Sequence, residues 1–261
     1  MKIFSSIIAL LLWTLTVTAQ NLYTKTTQVG LGSTGILDTY LSQEKFSDMG
    51  LTVLSTSEKQ KREDSPWTTM REHEVNISMV SDRSGNRDET HFGYNFFYGR
   101  QYKWKMGRRL QLQAGGMLNT EIGAIYNTSN TNNPVNARLS MQLMPTGTAA
   151  YDITLWRRTL RLRYEAQLPL AGFMFSPNYG QSYYEMFSLG NYDHNVVATS
   201  FVNAPTWRQQ LSAEYPVTRR LTLRIGYLGH YQQSHVNNLK THIYNHRFMI
   251  GIVKNVKIIK L

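Results

Sequence analysis

The sequence predicts an all-β protein: a closed antiparallel transmembrane β-barrel of about ten strands, with twelve the next count. Three observations carry this prediction. Long segments alternate apolar and polar residues with period two, as a strand with one greasy and one polar face requires. The polar faces carry charges in mid-strand, which the packed core of a soluble sandwich would not accept without partners. Short basic turns (KMGRR at 105–109, LWRR at 155–158, VTRR at 217–220) alternate with longer polar segments at 81–89, 127–134 and 175–194. That asymmetry is the loop anatomy of an outer-membrane barrel.

The chain opens MKIFSSIIALLLWTLTVTAQ. Lys2, the apolar run from Ile7 to Leu15, and the small residues Val17 and Ala19 at the minus-three and minus-one places read as a secretory signal cut after Ala19. The apolar run falls well short of the roughly twenty residues a spanning helix needs. The expected organisation is a signal peptide over 1–19 and a single outer-membrane barrel over 20–261.

Period-two patterning places strands at 24–38, 50–60, 67–80, 89–104, 109–126, 135–151, 158–173, 195–215, 221–235 and 241–254. In the fifth, Leu110, Leu112, Ala114, Leu118, Ile122 and Tyr126 oppose Gln111, Gln113, Asn119 and Glu121. In the sixth, Ala137, Leu139, Met141 and Leu143 oppose Asn136, Arg138, Ser140 and Gln142. In the seventh, Leu160, Leu162, Tyr164, Ala166 and Leu168 oppose Arg161, Arg163, Glu165 and Gln167. In the ninth, Leu221, Leu223, Ile225, Tyr227 and Tyr231 oppose Thr222, Arg224, Gly226 and His230. A further break within 30–40 or after Asn203 would raise the count to twelve. An even count brings both termini to one side, the periplasmic one. Many segments exceed the roughly nine to eleven residues that cross a bilayer, so the strands should project outside it.

Composition narrows the function classes. The 261 residues contain no cysteine, which removes thiol chemistry and cysteine metal sites and leaves closure to hydrogen bonding and packing. The formal charge of +11 is dispersed through strands and turns instead of forming one block. With an export signal, that argues against nucleic acid as a partner and for outer-membrane lipids, whose phosphates the paired arginines of the turns could meet. Aromatics at 12%, with 16 Tyr, suit a chain with many residues at a membrane interface.

The mid-strand charges Glu72, Glu74, Arg138, Arg161, Arg163, Glu165, Arg224 and Arg247 all fall on the polar parity, so a closed barrel should turn them inward. A ten-strand lumen is narrow. Facing charges of both signs should fill it as a plug, and the excess of Arg over Glu leaves a small anion-attracting channel as the alternative. The segment 175–194 is the best candidate for an external binding surface. It sets Tyr179, Tyr183, Tyr184, Phe187 and Tyr192 among Gly, Ser and Asn, a composition suited to a surface glycan or a protein partner, or else to a self-packed lid.

No catalytic residue is assigned. His-x-Ser, the spacing a barrel lipase would use, is absent from the sequence, and His230 and Ser234 stand four apart, roughly 13 Å along a strand. Asp193 and His194 sit at a rim but as strand neighbours would point to opposite faces. His230, His235, His242 and His246 lack carboxylate neighbours in sequence, so no metal or other cofactor is expected.

The stretches FSPNYGQSYYEMFSLGNYDHNVVATSF, NAPTWRQQLSAEYPV, TLRIGYLGHYQQSHVNNLKTHIY, FMIGIVKN and LDTYLSQEKF resemble an exported Bacteroidetes family known as a domain of unknown function. The resemblance runs over nearly the whole mature chain and implies a setting in the cell envelope, without naming an activity or substrate. The expected role is that of an outer-membrane barrel with a structural, surface-binding or small-solute function. The alternatives are a barrel hydrolase acting on lipid or peptide at its rim, and the narrow anion channel. Localisation is expected in the outer membrane of a Gram-negative bacterium. Mass spectrometry of the mature N-terminus should find Gln20 first; retention of residues 1–19 would overturn the cleavage site.

Overall fold

The structure, a computed structural model, describes residues 20–259 apart from 63, 64, 132, 156, 157, 219 and 220. The expected signal peptide and the turn residues Arg157, Arg219 and Arg220 lie outside the described residues. Ten antiparallel strands close a ring. From β1 (Gln20–Asp38) through β2 (Lys45–Gln60), β3 (Trp67–Asp82), β4 (Asp88–Met106), β5 (Leu110–Asn127), β6 (Val135–Leu155) and β7 (Arg158–Gln167), each strand pairs with the next. β7 also pairs with β10 (Thr206–Pro216), which continues through β11 (Thr222–Val236) to β12 (Leu239–Ile259), and β12 returns to β1. No strand edge is left within the ring, which is how a barrel satisfies its backbone without water.

Two short strands account for the twelve-strand alternative. The expected continuous strand 158–173 divides into β7 and β8 (Ala171–Phe175), and the expected strand 195–215 divides into β9 (Val196–Ser200) and β10. Thr146 faces Gln167 while Leu143 faces Ala171, so three steps of β6 meet four of its partner. The extra residue bulges at 168–170, where Pro169 has no N–H to give the ladder. On the other side, residues 201–205 loop out and carry exposed Phe201 and Val202. β1 runs unbroken to Asp38, so the break considered at 30–40 does not occur.

With ten strands, both termini lie at one end, called here the terminal end. The opposite, distal end is less loop-rich than the sequence implied. β3 and β4 extend into the expected polar segment 81–89, leaving only 83–87 as a turn, and β11 joins β12 through Asn237 and Asn238 alone. Both have positive φ, 51° and 58°, the two left-handed positions of a tight hairpin turn that Asn tolerates well. Residues 176–195 form the one long distal connection, L4, which holds a single helical turn, α1 (Tyr183–Phe187). Ser182 caps it by accepting from Glu185 N, and the Glu185 carboxylate accepts from Ser182 N in return.

The alternation sorts residues sharply between the two faces. Ile225 is 41% exposed on the outer wall while its neighbour Arg224 is 1% exposed inside. Leu139, Met141, Leu143, Phe248 and Ile250 are likewise exposed outside, whereas Gln142, Asn245 and Arg247 are buried in the lumen. In vesicles, Ile225→Arg should therefore lower unfolding stability by roughly 2–4 kcal/mol. Unchanged stability in a urea titration would reverse the assigned faces.

Candidate functional site: a plugged lumen and its distal cap

At mid-lumen, β3 and β10 bring Glu72, Glu74 and Arg208 together because each falls on the inward parity of its strand. Arg208 Nε donates to Glu74 Oε2 at 2.8 Å, and its Nη2 lies 3.0 Å from Glu72 Oε2. The guanidinium also stands 4.8 Å from the ring centre of Phe97. Glu74 is fully enclosed and completes its shell with Asn76 Nδ2 at 2.9 Å and His230 Nδ1 at 2.8 Å. Such pairs hold only while both partners remain, since a lone buried charge is strongly destabilising.

A second cluster lies toward the terminal end. Arg163 Nε donates to Glu165 at 2.6 Å, and its Nη2 is 2.6 Å from Glu58. Arg224 contacts the same Glu165 at 3.1 Å and Glu214 at 3.1 Å. Below them a cavity of about 200 Å³ is lined by Glu58, Lys103, Arg161, Arg163 and Glu214. Arg161 pairs with Asp152 at 2.7 Å at the half-exposed mouth. On the distal side, Arg138 donates to Glu121 at 3.0 Å, and Gln232 Nε2 donates to the other oxygen of that carboxylate at 3.0 Å.

Arg247 is held differently. It is fully buried, yet its donors reach Gly32 O at 3.0 Å, Ser33 O at 2.6 Å, Thr52 Oγ1 at 3.0 Å, Thr34 Oγ1 at 2.6 Å and Asn245 Oδ1 at 2.9 Å, and no carboxylate is among its described partners. The β1–β12 ladder is interrupted at Gly32 and Ser33, whose carbonyls go to the guanidinium instead. Glycine makes the room. A Cβ on Gly50 would collide with Arg247 Nη2, Ser78 Oγ and Thr34 Oγ1, and one on Gly32 would collide with the His246 carbonyl.

All eight charges singled out in the sequence have inward parity, but they do not form one network: six of them fall into the Glu72–Glu74 group, the Arg163–Glu165–Arg224 group, and Arg247 on its own. Arg138 and Arg161 have their own acidic partners, Glu121 and Asp152. Sequence reading missed Arg208, Glu58, Glu121 and Glu214 as members. Arg208 and Glu214 were legible in principle, since TWRQQLSAE alternates with both on one parity. With these included, the lumen and its mouth hold six arginines (138, 161, 163, 208, 224, 247) and seven carboxylates (58, 72, 74, 121, 152, 165, 214). The Arg excess that suggested an anion-attracting path is therefore gone.

Above the charges, Ile36, Leu41, Phe46, Val80, Ile125 and Ile243 form an apolar cluster across the distal end, with Tyr40 packed against it. L4 is seated on that cluster. Tyr40 donates to Gln181 O at 2.9 Å and meets Tyr183 edge-on at 5.9 Å. The Tyr183 hydroxyl accepts from Ala137 N at 2.6 Å and donates to Asn136 Oδ1 at 3.2 Å, and Met186 is fully buried beneath α1. Burial pushes both phenols above their usual range, which keeps them neutral donors. Of the five aromatics named from the sequence, Tyr183 is thus an anchor, while Tyr179, Tyr184, Phe187 and Tyr192 are each more than 60% exposed. Tyr179 and Tyr192 flank an open groove of about 540 Å³ with Asn178, Gln181, Glu185, Asn191 and Asp193.

Asp193 and His194 do not point apart as strand neighbours would. They lie in L4, where His194 has φ 49°, and that turn brings His194 Nδ1 to 2.5 Å from Asp193 Oδ1 in an exposed position. His230 faces the lumen while His246 faces outward and meets Tyr227 OH at 2.6 Å, so the two are on opposite sides of the wall. No group of three or more His, Asp or Glu side chains able to hold a metal occurs among the described residues.

The family model of a protein of unknown function, DUF3316, matches residues 2–261. The chain belongs to the DUF3316 family. Among solved structures, the DUF3316 barrel is similar in fold to the outer membrane protease OmpT from Escherichia coli. The two are 9% identical with a TM-score of 0.50, over 90% of this chain and 97% of that one. The translocator domain of the autotransporter NalP from Neisseria meningitidis is 10% identical with a TM-score of 0.41, over 97% and 95%. No curated protein sequence matches the chain.

Two substitutions test the lumen of this DUF3316 barrel. Arg208→Ala should cost about 3–5 kcal/mol, because it strands Glu72 and leaves Glu74 with Asn76 and His230 alone, and adding Glu72→Gln and Glu74→Gln should recover part of the loss. Gly50→Ala should cost about 1–3 kcal/mol by displacing the Arg247 guanidinium. Urea midpoints of the detergent-folded barrel measure both.

Proposed function

We propose that the protein is an integral outer-membrane barrel that works through its distal surface and not through its lumen, presenting L4 to a surface glycan. One observation carries the reading: charged groups and then an apolar cluster occupy the lumen at two successive levels, while L4 leaves four aromatics exposed, two of which, Tyr179 and Tyr192, flank an open polar groove. An apolar outer wall with Trp67, Trp104 and Tyr151 near the terminal end and Phe92, Tyr126 and Phe173 nearer the distal end supports a bilayer setting. Stacking on aromatic faces beside Asn and Gln amides is the chemistry by which sugar rings are held, since their axial hydrogens are apolar and their rims are hydroxyls.

The occluded lumen makes a sharp electrical expectation. In planar bilayers the unmodified protein should carry no stable current. Arg163→Ala should lower stability by unpairing Glu58 and leaving Glu165 with Arg224 alone, yet current should appear only when the distal cluster is also thinned, as in Arg163→Ala with Phe46→Ala. Large anion-selective currents from the unmodified protein would overturn the reading in favour of transport. The surface role is tested by binding of the detergent-folded protein to a glycan array, with loss expected in Tyr179→Ala/Tyr192→Ala. Hydrolysis of lipid or peptide that survives that pair but is lost in His194→Ala would move the function to the rim dyad.

A further inference from the structure

The outer wall is not uniform. On β5–β7 the outward positions near the terminal end are Leu110, Leu112, Ala114, Tyr151, Leu160 and Leu162. On β12 and β1–β4 they include five cations. Lys25 pairs directly with Lys254, Lys59 and Arg100 both flank Thr69, and Arg71 stands in the next outward row beside Ser57 and Tyr98. All five cations are exposed.

Like charges directly opposite destabilise a sheet, and a cation on a lipid-facing wall costs more the further it lies from the interface. Arg71 is four residues along β3 from Trp67, about 13 Å on the strand and about 10 Å in height once tilt is allowed for. It therefore sits on the apolar side of the aromatic belt, where water is scarce. A groove of about 670 Å³ joins Lys59, Lys61, Arg71 and Arg100 to Trp67 and Tyr98, and its described lining has no carboxylate. The Arg100 guanidinium lies 5.0 Å from the Trp67 ring and that of Arg71 6.0 Å from the Tyr98 ring, which holds both heads in the groove.

We infer that this groove binds the phosphate headgroup of an anionic phospholipid from the leaflet at the terminal end, with the acyl chains lying on the apolar wall beside it. Charge complementarity selects the occupant: four cations converge with no carboxylate among the described lining residues, in a place where the available anion is a membrane lipid. The aromatic flank supplies a surface for the glycerol and upper chain. The inference rests on the membrane reading above.

The test reconstitutes the full mature protein in nanodiscs of phosphatidylcholine with a minority of phosphatidylglycerol, then releases it and counts retained lipids by native mass spectrometry. Phosphatidylglycerol should be retained in preference to phosphatidylcholine. The triple variant Lys59→Gln/Arg71→Gln/Arg100→Gln should lose about a hundredfold in that preference, roughly a factor of five per cation. Equal retention of the two lipids by the unmodified protein overturns the inference, and this comparison stands even where the triple variant fails to fold. Unchanged preference in a folded triple variant overturns it as well. Displacement of phosphatidylglycerol by excess inorganic phosphate alone would show a free-anion site and also overturn it. A protein that never enters nanodiscs and leaves membranes in a carbonate wash would instead sink the membrane reading.

Discussion

The structure depends on one constraint: a closed ten-strand ring encloses a space too wide for backbone to fill and too narrow to hold bulk water around charges. Side chains must fill it, and most of the buried ones that point inward from ten alternating strands are polar. The Arg208–Glu74–His230 contact is where this is met most fully, with a guanidinium, a carboxylate and an imidazole all enclosed at mid-barrel. Desolvation of such groups opposes folding, and mutual pairing with well-placed hydrogen bonds offsets it. The interior therefore acts as a set of interlocked supports between strands distant in sequence. Arg208 on β10 is braced against β3, and Arg247 on β12 against β1 and β2.

Much of this was legible because period two is a strong signal. The inward parity of Glu72, Glu74, Arg163, Glu165 and Arg224 follows from alternation alone, and the ring follows once their charge and the alternation of short turns with long loops are added. Which partners those charges find does not follow, because partnership depends on how far each strand is staggered around the barrel. Arg247 illustrates the limit: parity turned it inward with a carboxylate expected, yet its guanidinium rests on carbonyls and hydroxyls that a ladder interruption and Gly50 make available. The division of 158–173 was marked by Pro169 and that of 195–215 by Pro205, but a proline at a sheet bulge and a proline ending a strand look alike in sequence. Asp193 and His194 lie at the rim as expected, but strand alternation was applied to a turn with positive φ, so their side chains were expected to point apart.

At the distal end, apolar packing replaces charge pairing. The Ile36–Phe46–Ile125–Ile243 cluster shuts the ring, and Tyr40 and Tyr183 fasten L4 onto it. The same connection thus has two faces with different duties. Tyr183 and Met186 are spent on anchoring, which fixes α1 and the chain around it. The exposed rings of Tyr179 and Tyr192 are consequently borne on a braced segment, and a braced segment loses less entropy when it takes up a ligand.

The charge of the whole chain takes its meaning from this internal arrangement. Six arginines and Lys103 point into the lumen or its terminal mouth, and the seven carboxylates there already match them before distal Asp38, Asp82 and Glu89 are counted. None of the +11 excess is therefore lumenal among the described residues. It belongs to the turns and the outer wall, and on that wall it gathers on β12 and β1–β4 instead of spreading evenly. A barrel that neutralises its interior while leaving one outer quadrant basic has separated two electrostatic tasks: inward pairs hold strands together, and outward cations face the molecules around the barrel. Were the excess required for folding, it would be found where the chain packs against itself.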